Sequence, residues 1–360
     1  MGKRTIIPFG PQHPVLPEPI HIDLVMEDER VVEAIPSIGF IHRGLEKLVE
    51  KKDFQEYVYV AERICGICSF IHGMGYCQSV EGIMKLDIPE RSKFLRTIWS
   101  ELSRIHSHMM WMGLLADAFG FESLFMQCWR LRELVLDLFD LTTGGRVIFS
   151  VCKIGGVRKD ITGVQQQHFI EVLDEIEAET KTIINTFFND SSVRHRLVGV
   201  GLLSKEDAHI LGAVGPMLRA SGIASDTRQM GYAAYGMLDF TPIVRTEGDG
   251  FARCAVRAEE ILQSIGLIRQ CFERMPAGGP IDMKVSGTPN GEYFARLEQP
   301  RGEVIYYTRG NGSKFLERMR VRTPTFANLA PLLHILPGSE LADVPLQVLT
   351  IDPCISCTER

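Results

Sequence analysis

Arg63-Ile64-Cys65-Gly66-Ile67-Cys68 lies in the first fifth of this chain and has a counterpart, Asp352-Pro353-Cys354-Ile355-Ser356-Cys357, close to the last residue. Cysteines three residues apart can present both sulfurs to one side of a turn or a helix start. Two such pairs together make a four-thiolate cage that suits a soft transition metal or an iron–sulfur centre. Because 285 residues separate the pairs, only the completed tertiary fold can assemble this cage.

The spacing of the cysteines leaves three kinds of site open: structural zinc, an iron–sulfur or rubredoxin-like iron centre, and a catalytic metal. A structural zinc site usually closes a short loop, so its two pairs lie closer together in sequence. Arg63 and Asp352 each stand two residues before a cysteine, which puts ionised groups beside the metal. A structural site does not need such groups, because fixed charges in a buried site cost free energy. The neighbours therefore favour a catalytic metal.

The composition is that of a well-packed protein, with 45% apolar and 23% charged residues in 360. A net charge of −6 and the lack of a basic run with interleaved aromatics argue against nucleic-acid binding. No run of about 18 apolar residues predicts a membrane span, and the N-terminus does not resemble a secretory signal. Nine cysteines without such a signal indicate a reducing compartment. We expect the five cysteines outside the pairs to be buried free thiols.

The patterns predict an α+β fold that is predominantly helical, with long central helices and small β-rich segments at both ends. Residues 20–26 and 30–34 predict a hairpin, and the pattern is helical from Gly44 to about Leu86. Further helices are expected at 92–118, 123–141, 162–188, 205–211, 251–275 and 326–335, and strands at 282–285, 293–298 and 303–308. We expect a single domain over 1–360, composed of an N-terminal β segment (1–44), a helical core (45–275) and a β- and turn-rich segment with the C-terminal motif (276–360).

Several segments together resemble one known family. Residues 63–72 and 352–360 resemble the two signature motifs of nickel–iron hydrogenase large subunits. Residues 10–14 and 39–47 look like the opening of the energy-converting, membrane-complex hydrogenases and of the homologous 49 kDa subunit of respiratory complex I. Pro300-Arg301-Gly302 and residues 323–328 look like the later motifs that cover the metal site. The resemblance spans the chain and implies the fold of these subunits.

The resemblance implies a ligand set for nickel and for an iron that carries cyanide and carbon monoxide. By position, Cys65 and Cys354 would be terminal on nickel, and Cys68 and Cys357 would bridge to iron. Four thiolates, two cyanides and two divalent metals sum to a charge of about −2, which needs fixed cations or donors nearby. Three residues that bind the cofactor are expected to supply them: Arg301, which matches the arginine over the metals, Arg63, and Thr325, which could donate to a cyanide. Alone, Arg301 could equally be a turn residue paired with Glu298 or Glu303.

The resemblance also implies a proton relay. Glu18, between Pro17 and Pro19, matches the glutamate that takes the proton from H2, although an exposed loop glutamate is the usual alternative. Asp352 and Asp117 are expected to complete a polar canopy, and a helix-surface aspartate is the alternative for Asp117. His72 follows Cys65 by roughly two helical turns. It could hydrogen-bond a cysteine sulfur or be a core histidine.

Glu46 resembles the carboxylate that helps to bind a further magnesium or iron ion near the C-terminus in many relatives. There the final residue is usually histidine, whereas here it is Arg360, as in the energy-converting group. Glu46 could therefore pair with Arg360 or Arg43 instead.

The function implied is reversible interconversion of protons and H2 by the catalytic subunit of a nickel–iron hydrogenase. The leftover cysteines lack cluster spacing, so the expected electron partner is a small subunit with a [4Fe-4S] cluster. Further iron–sulfur subunits, integral membrane subunits, ferredoxin as the donor, ion translocation and a peripheral place at the cytoplasmic face of the membrane are also implied. The alternatives are a quinone-site or coupling subunit like that of complex I, without hydrogenase activity, and a zinc-stabilised scaffold.

Overall fold

The computed structural model describes residues 4–14, 16 and 18–360. The chain begins with an antiparallel sheet in the order β1 (Arg4–Phe9), β2 (His21–Glu27) and β3 (Arg30–Ser37). Alternate residues of β2, Ile22, Leu24 and Met26, are buried, because neighbouring side chains of a strand point to opposite faces. The hairpin predicted at 20–34 is therefore confirmed.

The helical middle of the chain is built around one long, buried helix, α4. It packs against α5 and α10, and α6 packs against the same two helices. Nearly every residue of α4 is buried, including charged ones, so its polar side chains must find partners inside the protein. The helices of this part are α1 (Leu45–Leu48), α2 (Tyr57–Glu62), α3 (Ser69–Met84), α4 (Glu90–Ala118), α5 (Glu122–Thr143), α6 (Gly163–Asn189), α7 (Ser191–Leu197), α8 (Lys205–Ile210), α9 (Pro216–Arg219) and α10 (Gly250–Arg274).

Shorter elements connect these helices. The two-residue strands β4 (Cys152–Lys153) and β5 (Gly156–Val157) form a small ladder. Short 3₁₀ helices lie at Val49–Lys51, Thr227–Met230, Tyr235–Met237 and Leu341–Asp343.

The region from Gly44 to Leu86, whose pattern is helical, is not one continuous helix. It is divided into α1, α2 and α3, and the first cysteine pair lies in the break between α2 and α3. The amides of Ile67 and Cys68 donate to the sulfur of Cys65 at 3.3 Å. These two hydrogen bonds fix the turn that leads into α3, which begins at Ser69.

A second antiparallel sheet lies in the last quarter of the chain, in the order β6 (Asn290–Gln299), β7 (Gly302–Asn311) and β8 (Leu316–Arg322). The strand expected at 282–285 is absent, apart from one isolated bridge of Asp282 to Gly156. The turn between β6 and β7 places Arg301 against the helices. A Cβ atom on Gly215 would lie 2.3 Å from the Cα atom of Gly302, so this close approach requires glycine.

The chain ends with α11 (Pro324–Ile335), α12 (Val344–Ile351) and the single turn α13 (Ile355–Thr358). Buried side chains of α11 and α12, such as Leu332 and Val348, form one core with the inner face of the N-terminal sheet. A larger core lies among α2 to α6, α10 and the second sheet. The expected α+β class, with a helical middle between two small sheets, is confirmed.

Two further expectations concern burial and membrane insertion. Cys77, Cys128, Cys152, Cys254 and Cys271 are all buried free cysteines, as predicted. Among the described residues, no helix is long and apolar enough to cross a membrane.

Candidate metal centre

The four cysteines of the two motifs meet in one buried cluster. The sulfurs of Cys65, Cys68 and Cys357 lie within 4.8 Å of one another. The sulfur of Cys354 lies 3.3 Å from that of Cys65. All four residues are at most 2% exposed and pack only with Ile67 as an apolar neighbour. Residues from opposite ends of the chain therefore form a single four-sulfur site.

The second cysteine pair is fixed by contacts on both sides. Asp352 ends α12 in a left-handed conformation, with φ of 55°, which turns the chain sharply toward Cys354. The amide of Cys354 donates to the hydroxyl oxygen of Thr325 at 3.1 Å, and the hydroxyl of Thr358 donates to the Cys354 carbonyl. The Thr325 oxygen accepts this bond, so its own proton remains available to donate.

Arg301 lies over the cysteines with its guanidinium fully engaged. Nε donates to the Asp352 carbonyl and Nη2 to the Asp352 carboxylate, both at 2.7 Å. Nη1 donates to the Ser107 hydroxyl at 3.0 Å and to the Cys68 sulfur at 3.4 Å. The alternative partners, Glu298 and Glu303, pair with other arginines. A buried cation thus touches the sulfur cluster directly.

Asp352 is the matching anion of this arginine. Burial raises the pKa of its carboxyl above the usual range, while Arg301 and Arg257 act in the opposite direction. One oxygen, Oδ2, has no hydrogen-bond partner among the described residues. Burying a carboxylate oxygen without a hydrogen-bond partner costs free energy. A donor on a bound group could offset this cost by contacting Oδ2.

His72 contacts the cluster from the side of α3. Its Nε2 atom lies 3.2 Å from the Cys357 sulfur and 3.1 Å from the amide nitrogen of Gln299. Its Nδ1 atom lies 2.6 Å from the Tyr306 hydroxyl. Burial lowers the pKa of His72 to about 4, so the ring is neutral at neutral pH. Of the two expected alternatives, a hydrogen bond to a cysteine sulfur and a core histidine, the contact with Cys357 matches the first.

Glu18 binds the backbone of the second cysteine motif. Its carboxylate accepts hydrogen bonds from the amides of Ile355 and Ser356 and from the Ser356 hydroxyl. These amides begin the single turn α13, directly after Cys354. Pro17, one of its flanking prolines, lies outside the described residues. The structure thus places the Glu18 carboxylate against the motif instead of leaving it in a free loop.

The pKa shifts of the clustered thiols concern whether all four can be ionised together. Hydrogen bonds, first of all from Cys354, hold the pKa of Cys65 well below its usual range. Burial and the neighbouring thiols raise the pKa of Cys357 well above its usual range. Four buried thiolates therefore cannot coexist without positive charge at the centre. A soft metal cation would supply that charge and release the protons.

Two expected site residues do not reach the cluster. The Arg63 side chain is exposed and donates to the Tyr59 carbonyl at the end of α2, so its expected contact with the cofactor is corrected. Asp117 is exposed in the last turn of α4. It lies ten residues beyond Ser107, or about 15 Å along the helix axis. Asp117 lies on the outward side of α4, and Arg63 follows the last residue of α2.

Glu46 is occupied by protein donors. Its carboxylate accepts from Arg360 Nε at 2.8 Å, from Arg320 Nη1 at 2.7 Å and from the Val321 amide at 2.8 Å. Burial alone would raise the pKa of Glu46, but the Val321 amide and the two arginines lower it. Two guanidiniums at one carboxylate do not fit a divalent cation, so the expected further ion is not supported. The alternative pairing with Arg360 is the one observed.

Sequence reasoning did not assign a role to several residues at the site. Arg43 donates to the carbonyls of Arg63, Ile64 and Ser356, and so ties the two motifs together. The missed residues contact the site only through the tertiary fold, so no local sequence spacing indicates them. Arg43 alone stands inside a segment that the resemblance already included. The residues missed are Arg43, Ser107, Gln299, Tyr306 and Glu359.

The donors present fit a soft transition-metal group. Four sulfurs converge in a buried site, a guanidinium touches one of them, and an unpartnered carboxylate oxygen and a hydroxyl proton lie beside them. Thiolates select soft metals, and the guanidinium and hydroxyl suit a unit with net negative charge.

Two family descriptions match this chain. Residues 118–288 and 280–360 match the 49 kDa subunit of respiratory-chain NADH dehydrogenase. Residues 43–117, which contain the first cysteine pair, match the nickel-dependent hydrogenases.

Individual relatives extend over nearly the whole chain. The carbon monoxide-induced hydrogenase of Rhodospirillum rubrum is 40% identical over 98% of this chain and 99% of its own length. The membrane-bound hydrogenase subunit alpha of Pyrococcus furiosus is 36% identical over 98% of this chain and 87% of its own. Among solved structures, a chain of an archaeal membrane-bound sulfane sulfur reductase matches with a TM-score of 0.95 and 32% identity, covering 99% of this chain and 98% of that chain.

Proposed function

Because this chain belongs to the family that unites the nickel-dependent hydrogenases with the 49 kDa subunit of respiratory NADH dehydrogenase, we propose that it is the catalytic subunit of a nickel–iron hydrogenase. The reaction is the reversible interconversion of protons and H2. The observation that carries this proposal is the convergence of Cys65, Cys68, Cys354 and Cys357 in one buried cluster.

Cys65, Cys68, Cys354 and Cys357 would hold the nickel and the iron through their sulfurs. When bound, the nickel–iron group with its cyanide and carbon monoxide ligands would supply the redox chemistry for heterolytic cleavage of H2. Arg301 balances the negative charge of this unit and shields it from water. The Thr325 hydroxyl proton and the Asp352 carboxylate line the same space, where they orient ligands and substrate.

Glu18 would accept and release the proton of the reaction. The amides of Ile355 and Ser356 hold the Glu18 carboxylate beside Cys354. The carboxylate is therefore already in position before proton transfer. The Ser356 hydroxyl, which donates to the other oxygen, can carry the proton onward. His72 positions the Cys357 sulfur and remains neutral in this role.

Electrons would reach the site from another subunit. The relatives named above include one hydrogenase described as membrane-bound and a chain of a respiratory membrane complex. A small subunit with a [4Fe-4S] cluster is the expected electron carrier, with ferredoxin as its donor. Integral membrane subunits would hold this chain at the cytoplasmic face of the membrane and couple the reaction to ion translocation.

A second candidate is favoured by the solved neighbour and by the larger family match. The neighbour belongs to a sulfane sulfur reductase complex, and most of the chain matches the NADH dehydrogenase subunit. In this alternative the chain is a coupling or quinone-site subunit of a respiratory complex and does not act on H2. The intact set of four cysteines favours the hydrogenase, because a quinone site has no use for four converging thiols.

The experiment compares hydrogenase activity in the purified complex with two cysteine variants. Cys354→Ser removes one sulfur of the cluster, whereas Cys254→Ser changes a buried cysteine of α10 outside it. We expect H2-dependent dye reduction to be lost in Cys354→Ser and retained in Cys254→Ser. A wild-type complex that holds its native subunits and has no activity toward H2, or equal activity in the two variants, contradicts the proposal.

A further inference from the structure

A second group of ionised side chains lies in the interior between α4, α9, α10 and β6. We call it the buried charge cluster. Its members are at most 4% exposed and are joined by direct hydrogen bonds or ion pairs. The members are Glu101, Arg104, Arg219, Asp226, Arg228, Glu260 and Glu298.

The charges in this cluster do not balance. Four carboxylates face three guanidiniums, so full ionisation leaves one uncompensated negative charge in the interior. Burying an unpaired charge costs on the order of several kcal/mol, and a carboxylate usually avoids this cost by binding a proton. One of the four carboxylates is therefore expected to be neutral.

Three of the four carboxylates are well compensated. Asp226 receives Nε and Nη2 of Arg228 at 3.0 and 2.8 Å, and lies 3.2 Å from Arg219. Arg219 Nη2 donates to Glu260 at 2.5 Å, and Arg228 Nη2 lies 3.7 Å from the same carboxylate oxygen. Glu101 is bound by Arg104 and Arg228 and also accepts from the hydroxyls of Tyr235 and Ser264.

Glu298 is the least compensated carboxylate of the cluster. It contacts one guanidinium, that of Arg219 at 2.8 Å, which it shares with Asp226 and Glu260. Its other oxygen accepts from the Thr227 amide at 3.0 Å. Two acidic groups that share one cation tend to share one proton as well. Burial, followed by the charge of Asp226, raises the pKa of Glu298 above its usual range, in agreement with this geometry.

Among the described residues, the other titratable groups around the cluster bring no positive charge into contact with Glu298. His108 binds Glu260 through Nε2 at 2.9 Å, but its Nδ1 atom has no partner among the described residues, and burial lowers its pKa to about 4. Burial raises the pKa of Tyr232 and of Tyr235, so both are neutral at neutral pH. Arg257 lies over Trp111 and donates to the Arg253 and Thr350 carbonyls, outside the hydrogen bonds of the cluster.

The cluster is connected to the cysteine site through β6. Arg104 donates to the carbonyls of Glu298 and Gln299, and the side chain of Gln299 contacts His72, which contacts Cys357. Little water lies between such groups in a packed interior, so a change of charge at the cysteines is felt at Glu298 with little screening.

We propose that the buried charge cluster binds one proton, on Glu298, and that this proton compensates the charge of the adjacent metal centre. The second half of this inference rests on the proposed function. At neutral pH the Glu298 carboxyl holds this proton as a carboxylic acid. A more negative centre would raise the pH at which its O–H bond breaks and the proton passes to solvent, and a less negative centre would lower that pH. No other bond changes.

The first test needs no redox chemistry. Infrared spectra of the purified complex are recorded against pH in H2O and D2O for the wild type, for Glu298→Gln and for Glu292→Gln, an exposed glutamate on the same strand. We expect a carboxylic acid band at neutral pH that shifts in D2O, is lost in Glu298→Gln and is retained in Glu292→Gln. A wild type without such a band overturns the proposal, even if the variant does not fold. Persistence of the band in Glu298→Gln overturns it as well.

The second test separates this inference from the proposed function. Infrared difference spectra between the oxidised and reduced complex, recorded at the pH where half of the carboxylic acid band is lost, report cyanide and carbon monoxide in one region and carboxylic acids in another. Loss of the carboxylic acid change alone in Glu298→Gln supports the coupling. Metal-ligand bands that respond to reduction while the wild-type carboxylic acid band does not change overturn the coupling and leave the hydrogenase intact. Absence of metal-ligand bands contradicts the proposed function, and the pH titration then still decides where the proton resides.

Discussion

Arg301 carries the strongest residue-level link between the two halves of the site. Its guanidinium makes four contacts at once: two with Asp352, one with Ser107 and one with the Cys68 sulfur. A lysine ammonium is a point charge and cannot reproduce this planar fork. The functional importance of the residue therefore lies in its geometry as well as its charge.

We predict that Arg301→Lys folds and retains its metals but turns over H2 about tenfold more slowly or worse, because charge-assisted hydrogen bonds are lost. Hydrogen–deuterium exchange catalysed by the purified complex measures this effect. Arg296→Lys, which alters an exposed arginine paired with Glu303, is the matched control. Equal rates in the two variants would remove Arg301 from the reaction.

Glu62 carries a second residue-level prediction, independent of the metals. It is buried just before the first motif, one oxygen accepts from the Ser150 amide, and the other has no partner among the described residues. Burial raises its pKa from 4.5 to about 7. Below about pH 4.5 the carboxyl is protonated in both the folded and the unfolded chain. As the pH rises toward 7, only the unfolded chain releases the proton, so the folded state loses relative stability.

Glu62→Gln should remove this loss, because the amide does not titrate. We expect the variant to gain up to about 3 kcal/mol in free energy of unfolding, relative to wild type, between pH 4.5 and pH 8. Urea unfolding of the metal-free chain at several pH values gives this difference. Glu56→Gln, at an exposed position before α2, should show no such trend, and a parallel pH profile of wild type and Glu62→Gln would contradict the assigned burial effect.

At the residue scale, the positions of the motif residues were easier to predict from the sequence than the directions of individual side chains. The two motifs predicted that the cysteine pairs meet, and the family resemblance named Arg301, Asp352 and Glu18, which lie beside them. The roles expected of these three residues remain predictions. Arg63 and Asp117 do not lie at the cluster. The direction of Asp117 depends on the rotation of α4 against its neighbours, and Arg63, which follows α2, donates back to the Tyr59 carbonyl. Glu101 and Glu298 carry no local signal, since their partners come from distant parts of the chain.

The last turn, α13, shows how an element is held by side chains from elsewhere. The Glu359 carboxylate accepts from the amides of Gly39 and Ile41 at 2.5 and 2.6 Å. Arg360 pairs with Glu46, and Arg43 donates to the Ser356 carbonyl. A turn of four residues has little stability by itself, so the loop after β3 holds the second cysteine pair in place.

We predict that Glu359→Gln loosens this element without unfolding the protein. Replacing the carboxylate by an amide removes its charge and one of its acceptors, which should make opening about tenfold more frequent. In the metal-free chain, alkylation of Cys354 and Cys357 measured by mass spectrometry should accelerate by that factor.

The control for this measurement is Glu317→Gln, which alters a half-exposed glutamate paired with Arg309 on β8. Its alkylation rate should equal that of wild type. A rate in Glu359→Gln that equals the control shows that the loop does not hold α13.

Element types were easier to predict than element boundaries. The long helices α4, α5, α6 and α10 follow from their apolar periodicity. The region with a helical pattern from Gly44 to Leu86 is interrupted between α1 and α2 and again at the first cysteine motif. In the second break the Cys65 sulfur accepts hydrogen bonds from the amides of Ile67 and Cys68, and apolar periodicity does not predict such a contact. The strand β8 was missed because its residues between buried positions are arginine and glutamate.

At the scale of the whole molecule, the fold brings both ends of the chain to one point. The N-terminal sheet packs on α11 and α12, and the loop that follows it closes over the C-terminal turn. Neither terminal motif could hold a metal with four thiolates without the helical middle that separates them. The single domain expected from the sequence remains a prediction.

Metal analysis combined with infrared spectroscopy of the purified complex tests the central claim most directly. The claim is that thiolates from both ends of this chain hold nickel and iron together. It predicts nickel and iron in about equal amounts at this subunit, as expected for a shared thiolate site, with bands from cyanide and carbon monoxide that vanish in Cys65→Ser. Zinc alone, or a complex without nickel and without those bands, would contradict it.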